Sequence, residues 1–148
     1  MKMSVQIGFL PILIIVTLCC QYQLFAQQNS GDITVILTDL ENNDGHVLVS
    51  LVNSKRTFLS DDPYRGEQVE PKNRQAVYTF KDVPFGTYAV SAFHDENDNL
   101  DLDTNFLGIP TEEYGFSNDA RGTFGPPDYE EAAFRLNTTK LTIKIELD

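Results

Sequence analysis

The clearest signal along the chain is alternation. Ile33, Val35 and Leu37 are apolar with more polar neighbours, and Val47, Val49 and Leu51 repeat the pattern. A period of two puts one set of side chains on one face of a strand, so both runs are read as half-buried β-strands. Asn42-Asn43-Asp44-Gly45 between them has the composition of a hairpin turn. Further on, Ala76–Phe80 and Thr87–Phe93 are strand-like and joined by the tight connection Val83-Pro84-Phe85-Gly86. Tyr88 and Val90 are expected to face the core. Ala132–Leu136 is linked through Asn137-Thr138-Thr139 to Leu141, Ile143, Ile145 and Leu147, which alternate strictly. No window sustains a helical period. About seven short strands separated by turn signals predict an all-β, antiparallel, immunoglobulin-like or prealbumin-like sandwich.

Two stretches interrupt this rhythm. Residues 53–73 are polar and carry Pro63, Gly66 and Pro71, with Phe58-Leu59 as the pair that would pin them to the core. Residues 94–129 hold four glycines and three prolines without a strand-length run. A connection this long inside a compact domain is either functional or disordered. Phe106, Leu107, Ile109, Tyr114, Phe116, Phe124 and Tyr129 are too many apolar groups for a solvated linker, so a packed loop is expected, closing one end of the sandwich and able to carry a site.

The N-terminus reads differently. Lys2 precedes an uncharged run from Ile7 to Cys20, followed by Gln21, Gln23 and then Phe25-Ala26-Gln27. That is the order of a cleavable secretory signal, and with Pro11 inside it the run is short for a membrane span of roughly 20 residues. Residues 1–26 are read as a signal peptide cut after Ala26, and residues 27–148 as one exported domain, periplasmic or extracellular. Lipidation at Cys19 or Cys20 is the alternative. It is disfavoured because Leu18 and Cys19 are poor choices for the small residue expected before a lipid-bearing cysteine. Both cysteines lie in this segment, so the mature domain has none to pair and depends on core packing.

The formal net charge is −11, and removing Lys2 makes the mature chain more acidic still. Nucleic acid and anionic membrane surfaces are therefore excluded as expected partners, since binding there is led by Lys and Arg. Cations are the natural counterpart. The acidic density peaks in His94-Asp95-Glu96-Asn97-Asp98-Asn99-Leu100-Asp101-Leu102-Asp103, where oxygen donors recur at every second position. In an EF-hand-type loop, side chains at positions 1, 3, 5 and 9 and a backbone carbonyl at position 7 converge on a hard cation. Asp95, Asn97, Asn99, Asp101 and Asp103 fall at positions 1, 3, 5, 7 and 9, which makes calcium the expected ion. Leu100 stands where a Gly usually permits the turn and Phe106 where the bidentate Glu belongs, so Glu112 or Glu113 would have to complete the set. The alternative is a solvated turn, which Asp and Asn also favour. His94 alone is read as a strand-end residue.

Val83–Val90, His94–Asn97, Leu102–Pro110, Tyr114–Asn118 and Phe124–Pro127 together resemble the secreted bacterial family catalogued as domain of unknown function 2141. The resemblance covers nearly all of the mature chain and implies a single exported domain without an assigned activity. Similar sequences more often carry Gly at positions 98 and 100. The Pro-x-Gly-x-Tyr turn is also similar to those of prealbumin-like and carboxypeptidase regulatory-like sandwiches, an analogy of fold only.

Catalysis finds little support in the residues. The mature chain has no Cys, His46 and His94 are the only imidazoles, and neither sits in a nucleophile motif. The expectation is an exported, monomeric, non-catalytic binding or accessory module. Its partner would be a protein or carbohydrate of the cell envelope or extracellular space. A small carboxylate-dependent hydrolase and a structural envelope protein are the alternatives.

Overall fold

A computed structural model describes residues 29–123 and 125–148. The signal segment read in residues 1–26 and the aromatic Phe124 lie outside the described residues. Eight strands form in order: β1 (Ser30–Thr38), β2 (His46–Val52), β3 (Arg65–Val69), β4 (Ala76–Pro84), β5 (Gly86–Asp95), β6 (Tyr114–Phe116), β7 (Phe134–Leu136) and β8 (Lys140–Glu146). One sheet has the order β4-β1-β8 and the other β3-β2-β5-β6, with β7 also pairing β5. The architecture is the all-β sandwich expected from the alternation.

The alternating positions face inward as read. Ile33, Val35 and Leu37 of β1 meet Val47, Val49 and Leu51 of β2, together with Phe80, Tyr88, Val90 and Ile145 in one core. β3 was not foreseen in the polar stretch, because only its end residues, Arg65 and Val69, are more than superficially covered. One pair departs from an antiparallel plan: β1 and β8 run parallel, with Ile33 opposite Leu141 and Leu37 opposite Ile145.

The Asn42–Gly45 turn is not a hairpin. β1 has both edges occupied by β4 and β8, so β2 has no edge of β1 to pair with and enters the opposite sheet. Asp39 adopts a left-handed φ of 70° and Leu40 is fully buried, which turns the chain across the end of the core. Gly45 is needed there twice over: its φ is +59°, and a Cβ would stand 2.0 Å from the Asp95 carbonyl oxygen. The turn thus sits directly on the base of the acidic loop.

The sandwich is shut on one side and open on the other. β6 meets the C-terminal segment through reciprocal 3.2 Å bonds between the backbones of Tyr114 and Asp148. On the opposite side the outer edges of β3 and β4 pair with no other strand among the described residues, and Arg65 spans them, its guanidinium donating to the carbonyls of Lys81 and Asp82.

β5 is buried on its inward face and, at Ala89 and Asp95, on its outward face as well. Its outward Ala89 joins Val52, Phe116, Ala120 and Ala132 in a second, smaller cluster, covered by Phe58 and Tyr129. Ser117 fastens this layer: its Oγ accepts the Val90 N–H at 2.9 Å and donates to the Ala132 carbonyl at 2.6 Å. Phe58 therefore does pin its loop, whereas Leu59 points outward.

Candidate functional site

β5 ends at Asp95, on the outward face and fully buried, and the acidic loop begins there. A buried carboxylate needs donors. Asp95 finds them in the loop's own backbone, accepting N–H bonds from Asn99 at 3.1 Å and Leu100 at 2.9 Å. Asn97 Oδ1 accepts the Asn99 N–H at 3.0 Å, and Asn99 Oδ1 accepts the Asp101 N–H at 2.8 Å. These side chains bonding to backbone two residues on are Asx turns, and their repeat at every second residue winds the segment into a tight coil. Asp98 and Leu100 take left-handed φ values of 59° and 69° to permit it.

Asp103 closes the coil, accepting Nδ2–H bonds from Asn97 at 2.6 Å and Asn99 at 3.1 Å. Glu112 then clasps both ends, accepting the Glu96 N–H at 3.1 Å and the Asp103 N–H at 3.0 Å. The structure thus brings Asp95, Asn97, Asn99 and Asp103 together, with Glu112 beside them. Asp101 takes part through its backbone N–H, and its exposed side chain does not join the cluster. Among the described residues no group of three His, Cys, Asp or Glu side chains is gathered closely enough to hold a metal ion by themselves.

Two imidazoles brace the base of the loop. His94 is fully buried, its Nε2–H donates to the Asp44 carbonyl at 2.7 Å, and its Nδ1 lies 3.4 Å from Glu113 Oε2. Glu113 also accepts the Glu41 N–H at 2.9 Å, so His94 and Glu113 join the end of β5 to the β1–β2 connection. His46 pairs with Asp98 at 2.6 Å, and that hydrogen bond raises its pKa above the ordinary imidazole value. The sequence pattern marked the acidic residues but not these struts, since their partners lie 19 to 52 residues away along the chain.

The next segment overturns part of the packed-loop expectation. Thr104 and Pro110 form a β-bridge, and Asn105 organises the tip between them. Its Oδ1 accepts the N–H groups of Leu107 at 2.9 Å and Ile109 at 3.2 Å. The side chains of Phe106, Leu107 and Ile109 are consequently displayed rather than buried, Phe106 at 94% exposure. Among the described members of the expected apolar set, Tyr114, Phe116 and Tyr129 pack as foreseen. The loop is ordered by its polar side chains, because the Asn and Asp turns satisfy its backbone without a core. Among the described residues no helix is long and apolar enough to cross a membrane.

Neither the curated proteins nor the solved structures contain a match to this chain. The bacterial family described as "Uncharacterized protein conserved in bacteria (DUF2141)" matches residues 35–144, a span from within β1 to within β8 that includes the whole acidic loop. The chain belongs to that family, as the resemblance of its motifs implied.

Proposed function

We propose that the protein is an exported, non-catalytic binding or accessory module whose acidic loop binds calcium. The observation that carries the cation is the convergence of Asp95, Asn97, Asn99 and Asp103 in one coil clasped by Glu112. All are hard oxygen donors of the kind calcium selects, with no thiol to favour a transition metal. An amide or carboxylate oxygen has more than one lone pair, so each can accept the backbone or side-chain N–H it meets in the coil and still face an ion. Glu112 supplies the carboxylate that Phe106 cannot, from farther along the chain. Asp95, Glu96, Asp98, Asp101 and Asp103 lie within one short segment of an acidic chain, like charge that a divalent cation would offset.

An ion that binds only the folded state stabilises it by mass action. With a dissociation constant in the range of extracellular modules, ~10⁻⁴ to 10⁻³ M, calcium at ~10 mM should raise Tm by several degrees. Magnesium should raise it less, since it demands stricter octahedral geometry. In Asp103→Ala the calcium and chelator curves should coincide, whatever the variant's own stability. Coincident curves for the wild type, with no heat of binding in calorimetry, would show the coil to be a solvated turn.

A further inference from the structure

The outer face of the β3-β2-β5-β6 sheet is covered over only part of its area. Val52, Ala89 and Phe116 lie under the Phe58–Tyr129 layer, but the neighbouring cross-strand pair Leu48 and Phe93 does not. Above that pair lies an open groove of about 630 Å³, within the size range of ligand clefts, roughly 300–1,000 Å³. Leu48 and Phe93 form its floor, and Pro63 and Leu100 its apolar walls. Its charge has one sign. Asp61 and Asp101 line it, while the Glu67 carboxylate is turned to Tyr78 on the other face of β3, and among the described residues no Lys, Arg or His lines it. Arg65, the cation of β3, is turned away to the carbonyls of β4. A second hollow, about 710 Å³ between the outer edges of β3 and β4, sets Lys72 beside Glu70 and so lacks this uniform sign.

We propose that the Leu48–Phe93 groove binds a basic, extended polypeptide segment. The complementarity is twofold. The Asp61 and Asp101 carboxylates attract ammonium or guanidinium groups, while the apolar floor suits alternate apolar side chains and the alkyl stems of lysine and arginine. A guanidinium over Phe93 would gain further from the ring face. Ser50, Ser60 and Gln68 lie along the groove with the donors and acceptors that an extended backbone requires. The assignment deepens the binding-module reading and rests on it, but does not require the cation.

The test is fluorescence anisotropy with a labelled synthetic peptide alternating lysine and leucine, at about 0.15 M salt to damp diffuse attraction to the acidic protein. Measurements are made once in calcium and once in chelator. Saturable binding is expected, with a lysine–glycine peptide of equal charge about tenfold weaker for want of apolar burial. Leu100→Asn removes an apolar wall at a residue whose φ is 69°, a conformation asparagine tolerates better than leucine, so the fold should survive while affinity falls several-fold. Asp61→Asn should weaken binding similarly. The proposal is overturned if the wild type does not bind, if the two peptides bind alike, if neither variant weakens binding, or if neutral maltohexaose displaces the peptide. Peptide binding without a calcium effect on Tm would overturn the cation alone, and a calcium effect without peptide binding the groove alone.

Discussion

Val90 is fully buried on the inward face of β5, among the side chains of both sheets. The described residues packed around it form an apolar cluster, so Val90→Asp should cost several kcal/mol, about 3 or more, by stranding a charge in the core. Chemical denaturation measures this directly, and a midpoint equal to wild type would refute the register. Tyr88, two residues earlier, shows a subtler adjustment. Its ring is in the core while its hydroxyl reaches back to donate to the Pro84 carbonyl at 2.8 Å, and burial pushes its pKa up. The Pro-x-Gly-x-Tyr turn is therefore closed by its own tyrosine. These inward positions were legible from alternation because the two faces of a strand differ in solvent exposure at every step. Ala89 was not, since its burial depends on a covering layer assembled from residues 58, 116, 120 and 132.

Between elements, the contact most open to experiment is His46 of β2 with Asp98 of the acidic loop. The hydrogen bond to Asp98 is the chief cause that raises the His46 pKa. A raised folded-state value means that this pair's stabilisation is fully present below the unfolded value, near 6.5, and is lost as pH rises through the higher folded value. NMR titration of the imidazole should show a midpoint above its ordinary value, returning toward it in Asp98→Asn. An unshifted midpoint in the wild type would mean that the pair does not form in solution. The close approach of β6 to β8 follows another local rule: a Cβ on Gly115 would stand 2.7 Å from Ile145 Cγ2. The residue type is visible in the sequence, but its reason appears only when the two strands are brought together.

At the scale of the whole molecule, export remains the proposal that organises the rest, because the proposed calcium site and the lack of cysteine in residues 27–148 are both compatible with an extracytoplasmic setting. Protein recovered from the native host should begin near Gln27 and carry no lipid, which N-terminal sequencing and intact mass determine together. Retention of Met1, or acyl mass on Cys19 or Cys20, would refute the processing reading.

Sequence by itself determined the class of the fold, the inward set of each long strand, and the segment where acidic and amide oxygens concentrate. Each of these is written in the spacing of neighbouring residues, either as the two-residue period of a strand or as the two-residue reach of an Asx turn. Only the tertiary structure decided which strands pair, so that β1 and β2 part into different sheets and β1 meets β8 in parallel. It also decided that Glu112 clasps the acidic coil, that Phe106 is displayed, and that Leu48 and Phe93 form the floor of a groove. These outcomes depend on contacts between distant parts of the chain. Local pattern carries no information about them until two sheets compete for the same core.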